Sequence, residues 1–193
     1  MEMALDQSDQ LDDDALLVLF ANGDSAAAAT LTIRLAPQAL SFARRMLGDL
    51  AEAEDVVQEA MLKLWRVAPD WRPGEARVST WLYRVVNNLC IDRIRKRERA
   101  NVGLDDVTEP ADPTPSVEAK LIHADRIAVL DEALSELPDR QRQAVVLRHI
   151  EGLANPEIAL VMETSVEAVE SLTARGRRAL AVILAPQKKE LSL

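Results

Sequence analysis

One stretch of the sequence, Ser79 to Arg99, limits the possible folds of this chain more than any other. It runs for twenty-one residues without a proline or a glycine, and it opens on serine, which often caps the N-terminus of a helix. Its apolar side chains fall mostly at helical spacing; they are Leu82, Val85, Val86, Leu89 and Ile94. The pattern predicts one long helix, capped by Ser79, with one face turned to a core.

The rest of this predicted helix has the chemistry of a nucleic-acid contact. A second face, spaced by three or four residues, carries Arg84, Asn88, Asp92, Arg95 and Arg99, and Lys96 adds to its basic end. Trp81 and Tyr83 lie at the other end, with Trp71 just upstream. Because bases stack on rings and phosphates pair with cations, the combination suits single-stranded nucleic acid. An amphipathic helix with a solvated basic end explains the same stretch, which alone does not separate the two interpretations.

The composition is typical of a helical protein in two parts. Of 193 residues, 48% are apolar and only six are glycine, while alanine and leucine are abundant. Residues 101–119 hold Pro110, Pro113 and Pro115 among acidic residues and little apolar content, which is typical of an extended linker. We therefore predict an all-α fold with two small helical domains, residues 1–100 and 120–193, joined by a flexible linker.

Charge and residue content exclude several classes of function. A net charge of −9 argues against a protein that coats nucleic acid without specificity, although residues 51–100 carry ten basic side chains. The one cysteine, Cys90, is predicted to be a buried apolar residue. Without metal-ligand spacing, a nucleophile–base pair or a phosphate loop, we expect no enzyme, cofactor, metal or small-molecule substrate. The sequence also has no apolar run long enough to span a membrane, and its acidic start is unlike a signal peptide, so we expect a cytoplasmic protein.

Shorter helices are predicted before the long one. Asp12 to Asp14 precede a helix through Ala21, a second helix runs to about Leu35, and Pro37 opens a third. Residues 51–67 follow as a strong helix, whose apolar face leaves outside it Glu52, Asp55, Gln58, Glu59 and Leu62. These carboxylates either complement the helix dipole or form an acidic docking surface for a basic partner, and periodicity does not decide between the two.

A loop is predicted between that helix and the long one, over residues 68–77. It holds Trp71, Arg72 and Arg77 among two prolines and a glycine. A tryptophan beside cations suits a pocket that stacks or holds a base. It serves equally well to pin the loop to the helices.

The second part of the chain has the pattern of a helix-turn-helix. Helices are predicted over residues 118–137 and 140–150, followed by a short helix capped by Asn155 and a turn over residues 162–165. Thr164 or Ser165 then caps a last helix through Leu184. In this geometry the start of the second helix enters the major groove of DNA. Its candidate contacts are Ser165, Glu167, Ala168, Glu170, Ser171, Ala174 and Arg175, with Arg177 and Arg178 nearby.

Three stretches, taken in order, closely resemble the extracytoplasmic-function (ECF) sigma factors of bacterial RNA polymerase. They are AEDVVQEAMLKLW, STWLYRVVNNLCIDRIRKRER and LPDRQRQAVVLRHIEGLANPEIALVMETSVEAVESLTARGRRAL. The resemblance covers about residues 13–100 and 120–184. It implies a non-catalytic subunit that brings core RNA polymerase to the promoter DNA of stress or envelope genes and is held inactive by an anti-sigma factor.

The resemblance also implies a role for particular residues. Core polymerase binding falls on Asp55, Gln58, Glu59 and Leu62. Recognition and melting of the minus-ten element falls on Trp71, Arg72, Trp81, Tyr83, Arg84, Asn88, Asp92, Arg95, Lys96 and Arg99. Recognition of the minus-thirty-five element falls on Ser165, Glu167, Glu170, Ser171, Ala174, Arg175, Arg177 and Arg178.

The chain departs from the family pattern around the last helix. Glu163 stands in the turn where the family usually has glycine, and Glu170 replaces the usual cation. Carboxylates near the groove weaken phosphate attraction, although glutamate accepts a hydrogen bond from cytosine N4. Either the box contains unusual cytosines, or Glu167 and Glu170 face away, or this module binds DNA weakly and relies on the polymerase. Two other functions remain open: a stand-alone helix-turn-helix regulator, and an adaptor that makes only protein contacts.

Overall fold

The structure is a computed structural model that describes residues 11–101 and 118–186, with the backbone alone described for residues 101 and 118–126. The N-terminal part contains α1 (Asp13–Ala21), α2 (Ser25–Leu47), α3 (Leu50–Val67), a 3₁₀ turn (Ala68–Asp70) and α4 (Val78–Asn101). The C-terminal part contains α5 (Glu118–Ser135), α6 (Asp139–Val145), a π turn (Val146–Ile150), α7 (Asn155–Val161) and α8 (Val166–Ile183). Every regular element in these ranges is helical, which confirms the all-α prediction, and residues 102–117 of the predicted linker lie outside them.

The N-terminal helices enclose a core centred on α2. Phe42 is fully buried and meets the ring of Tyr83 edge-on, with ring centroids 5.8 Å apart. On α4 the predicted apolar face turns inward, with Leu82 and Val86 buried and Val85, Leu89 and Ile94 partly buried. Cys90 is buried as expected, and burial raises the pKa of its thiol to about 12. A thiol so protonated at neutral pH is a packing residue.

Residues 25–47 form one helix, so the prediction of a break before Pro37 was wrong. A proline inside a helix removes one backbone N–H and frees the carbonyl four residues earlier. Here that carbonyl belongs to Ile33, whose side chain is 75% exposed, and Pro37 itself is exposed. The freed group therefore lies on the solvent side, where water satisfies it and the helix continues at a modest cost.

Two predicted helix caps differ from the structure. The long helix begins at Val78, where the carbonyl of Arg77 accepts from Trp81 N at 3.0 Å, so Ser79 lies within the first turn and is not a cap. Helix α7 has Ala154 before it, and the carboxylate of Glu157 accepts from Ala154 N at 2.9 Å, so Asn155 is not its cap. Asn155 lies within the first turn of α7, and the Glu157 carboxylate satisfies the backbone N–H of the residue before it.

The C-terminal helices form a helix-turn-helix. Ser165 caps α8 by accepting from Ala168 N at 3.2 Å, which selects it over Thr164. The predicted helix over residues 140–150 ends at Val145 and widens into the π turn, which carries the buried Leu147 into the core. Ile158 of α7 and Val169 of α8 pack in the same core. The turn over residues 162–165 is found where it was predicted.

Helices α6 and α8 approach closely at Gly176. A Cβ added there would lie 2.6 Å from Val145 Cγ2 and 3.2 Å from the carbonyl oxygen of Gln141. Gly176→Ala is expected to lower the free energy of unfolding by about 1 kcal/mol, because overpacking costs more than alanine gains in a helix. Thermal denaturation checks this, and a higher melting temperature for the variant would show that the two helices separate without cost.

Candidate polymerase and nucleic-acid surfaces

One face of α3 is exposed and carries all four residues expected to bind the polymerase. All four side chains are exposed, and their helical spacing of three, one and three residues places on one face Asp55, Gln58, Glu59 and Leu62. Leu62 is 55% exposed beside these polar side chains. The helix N-terminus is capped by Asp49, which accepts from Glu52 N at 2.8 Å. Since Gln58, Glu59 and Leu62 lie beyond the first turn, the helix dipole does not explain them, and the arrangement favours a docking surface.

The basic end of α4 divides into paired and unpaired cations. Arg93 Nη1 lies 3.8 Å from Asp55 Oδ2, and Arg97 pairs with Glu52 and donates to the carbonyl of Leu47 at 2.9 Å. These contacts tie α4 to α3 and to the end of α2. At this end of α4, the described cations that are exposed and have no such partner are Arg95, Lys96 and Arg99. These three are the ones that the sequence assigned to DNA.

The amide and acidic face of α4 lies beside a cleft. Asn88, Asp92 and Arg95 line it from α4. On the other side, Arg140 lines it from α6, and Met162 and Glu163 line it from the turn after α7. Asn88 and Asp92 are exposed, so their polar atoms are accessible from this cleft. The structure therefore brings the predicted base-contacting residues together on one open surface.

The aromatic residues of the predicted melting surface are less accessible than the sequence suggested. Trp71 Nε1 donates to Asp14 at 3.0 Å, and its ring meets Trp81 edge-on at 6.2 Å, so Trp71 pins the loop to α1 and α4. Tyr83 is 5% exposed, and its hydroxyl donates to Glu151 Oε2 at 2.7 Å. Burial, and secondarily Glu151, raise the pKa of this phenol. Tyr83 is thus a core residue in this arrangement, because it packs on Phe42, and no base can reach its ring. Arg72 is exposed beside Glu75, at 3.5 Å.

The last helix presents one exposed face. Helical spacing places on it Glu167, Glu170, Ser171, Ala174, Arg175 and Arg178, all of them exposed, while Ser165 is the exposed cap. The two glutamates therefore share one exposed face with Arg175 and Arg178. At the helix N-terminus, backbone and Ser165 hydrogen bonds lower the pKa of Glu167. Arg177 is exposed but does not lie on this face. Burial, and secondarily the positive charge of Arg177, lower the pKa of His149.

Comparisons with known proteins identify both halves of the chain. The family models for Sigma-70 region 2 and Sigma-70 region 4 match residues 31–100 and 127–180. The chain is 33% identical over 180 residues to the ECF RNA polymerase sigma factor SigE of Mycolicibacterium smegmatis, covering 90% of this chain and 68% of that protein. It is 30% identical over 190 residues to the RNA polymerase sigma-H factor of Pseudomonas aeruginosa, covering 94% and 98%. The chain belongs to the ECF family of RNA polymerase sigma factors.

A solved structure has a fold similar to that of this sigma factor. The structure of CnrH in complex with the cytosolic domain of CnrY matches with a TM-score of 0.68 and 26% identity, covering 90% of this chain and 97% of that one. Family membership does not favour the stand-alone regulator. Among the helices in the described ranges, none is both long and apolar enough to cross a membrane.

Regions 2 and 4 of this sigma factor touch through acidic side chains whose contacts the sequence did not reveal. Four acids of region 4 meet donors of region 2: Asp131 meets Arg44 and Arg45, Glu151 meets Ser41 and Tyr83, Glu157 meets Arg77 and Thr80, and Glu163 meets Arg84 and Asn88. Helix α7 packs on α4 beside them. Local sequence pattern names none of these partners, because the region 2 residues that hydrogen-bond to Glu151, Glu157 or Glu163 lie 68 to 110 positions away.

Proposed function

We propose that this sigma factor binds core RNA polymerase through α3 and directs it to promoters through α4 and α8. The observation that carries the proposal is the separation of three exposed faces with three different chemistries. The face of α3 is acidic and includes the exposed Leu62, the face of α4 combines the Asn88 amide with unpaired cations, and the face of α8 mixes glutamates and arginines. A subunit that must hold an enzyme and two promoter elements at once needs such separate faces.

On α4, Asn88 and Asp92 would contact the exposed bases of the non-template strand at the minus-ten element, beside Trp81 and Arg84. Arg95, Lys96 and Arg99 would neutralise the adjacent phosphates. Each captured base that stacks on a ring is worth about 1–3 kcal/mol. Capture of bases that open spontaneously would then drive melting without catalysis and without ATP.

On α8, Arg175 and Arg178 would reach the backbone or guanine edges of the minus-thirty-five element, with Ser171 and Ala174 between them. Glu167 and Glu170 share that face and would accept hydrogen bonds from cytosine N4. Their charge also weakens phosphate attraction. This module would therefore bind its box weakly alone and rely on the polymerase to hold it in place.

The same proposal includes a protein inhibitor and a cytoplasmic location. The related CnrH was solved with the cytosolic domain of CnrY. We expect this sigma factor to be held inactive by an anti-sigma factor that covers its polymerase- and DNA-binding faces, and to serve a stress or envelope response. It would act in the cytoplasm, where the polymerase is, as a subunit without catalytic activity.

Transcription reconstituted with core RNA polymerase tests the proposal. Core polymerase from the same organism is incubated with its genomic DNA, with and without the purified chain, and transcript start sites are mapped. We expect a limited set of new starts that share upstream sequence boxes. If no new start appears on any of this DNA, the chain is not an active sigma subunit.

A further inference from the structure

Glu163 holds an unusual backbone conformation at the contact between regions 2 and 4. With a φ of 49°, it is the sole residue other than glycine with a positive φ among those the structure describes. A side chain in this left-handed region is crowded by its own backbone, whereas glycine adopts it without cost. The position lies in the turn between α7 and α8, where glycine would fit. Strained residues persist where their surroundings fix them, and they cluster at switches and functional sites.

The strained residue places a carboxylate against α4. Its Oε1 accepts from Arg84 Nε at 3.0 Å and from Arg84 Nη2 at 2.8 Å. Asn88, one turn further along α4, also hydrogen-bonds to this carboxylate, and these contacts lower the pKa of Glu163. A glycine in the turn would make none of them. The carboxylate thus binds the side chains of Arg84 and Asn88, which have the chemistry to contact a phosphate or a base.

Two further carboxylates of region 4 continue the contact along α4. Glu157 Oε1 accepts from Arg77 Nη1 at 3.2 Å, and Glu151 Oε2 accepts from the buried Tyr83 hydroxyl at 2.7 Å. With Glu163, they place a row of negative charge against the donors of region 2.

Two features of this contact between regions 2 and 4 favour its opening. Glu163 and Arg84 are each more than half exposed, so their ion pair is weak and screened by salt. Asn87, 4% exposed, donates to the carbonyl of Val161 at 3.4 Å, while its Oδ1 is buried without a partner. A buried polar atom without a partner disfavours the closed arrangement. A permanent interface would satisfy such an atom.

We propose that Glu163 is an intramolecular latch that closes region 4 over the minus-ten surface of region 2 and keeps the free sigma factor off DNA. The masking of DNA rests on the proposed function of Arg84 and Asn88, whereas the closure does not. Core polymerase, by binding the exposed face of α3 and holding the two regions apart, would release the latch. Promoter DNA would then take the place of the carboxylate.

Two variants at position 163 separate charge from backbone strain. Glu163→Gly removes both, and Glu163→Gln keeps the strained backbone but removes the charge. The control is Glu136→Gln, which neutralises an exposed region 4 carboxylate that contacts no cation within the described residues. The full chain is used throughout, without polymerase. Small-angle X-ray scattering gives the radius of gyration, and fluorescence anisotropy gives the affinity for labelled single-stranded DNA of mixed sequence.

Both latch variants are expected to increase the radius of gyration and to bind the single-stranded DNA about two- to fivefold more tightly, as the loss of one exposed ion pair allows. Glu136→Gln should change neither. A radius of gyration like that of the unchanged chain in both variants would overturn the latch. Expansion without tighter DNA binding would overturn the masking and the proposed role of Arg84 and Asn88, while the closure would stand.

A charge exchange gives the latch a second, independent test. Arg84→Glu alone should open the chain, and Arg84→Glu combined with Glu163→Arg should restore the radius of gyration of the unchanged protein. A side chain that only fills space at position 163 would not be rescued in this way. Failure of the double variant to close, while both single variants stay folded by circular dichroism, would contradict a pairing between these two residues.

Discussion

Leu62→Asp is expected to weaken binding to core RNA polymerase by about thirtyfold or more, the loss typical of an interface hot spot. Leu62 is 55% exposed on α3, between polar residues that stay solvated in the free chain. An apolar side chain in that setting gains free energy only when a partner covers it. Aspartate would place a charge where that apolar contact forms. Titration of the labelled chain with core polymerase measures the change.

The matched control is Ile33→Asp, because Ile33 is 75% exposed and lies on α2, off the predicted docking face. Its affinity for core polymerase should equal that of the unchanged chain. Equal losses of affinity from both substitutions would mean that an added acid on any helix weakens core binding, whatever its position. An unchanged affinity for Leu62→Asp would remove α3 from the polymerase interface.

Asn88→Ala is expected to reduce promoter opening about tenfold, with core binding unchanged. Asn88 is exposed on the face of α4 that also carries Asp92 and Arg95, and an amide is able to donate to and accept from a base edge. Loss of one such base contact costs about 1–3 kcal/mol. Opening is measured as the fluorescence of a base analogue placed in the minus-ten element, at saturating polymerase.

Gln38→Ala is the control for Asn88→Ala, since it removes an exposed amide from α2 and not from α4. It should open promoters like the unchanged chain. If Asn88→Ala lowered core affinity and opening together, Asn88 would be a structural residue and the base-contact proposal would fail.

The helices and the turn of the helix-turn-helix could be predicted because their signals are local. The periodicity of Leu82 and Val86 predicts the buried side of α4, and the serine before α8 predicts its cap. The same local rules predict a helix start at Pro37, which is wrong, because the helix runs from Ser25 to Leu47. Whether a helix breaks there depends on whether the freed carbonyl of Ile33 faces solvent, which is a property of the packed structure.

The candidate surfaces were predicted only in part, since exposure depends on partners far along the chain. Tyr83 and Trp71 were expected to meet bases, but Glu151 and Asp14 take their polar atoms, from residues 68 and 57 positions away. The residue type at position 163 was visible as a departure from the family pattern, but its contact with Arg84 was not. A linker fixes which regions are joined but not which faces meet.

Reactivity of unpaired thymines to permanganate tests the central claim most directly. A promoter mapped with this sigma factor is incubated with core polymerase and the chain, in the absence of any nucleotide. Thymines of the non-template strand are expected to become reactive around the minus-ten element only when core and chain are both present. A promoter that stays closed without ATP, or that opens equally with core polymerase alone, would contradict strand opening by base capture on α4.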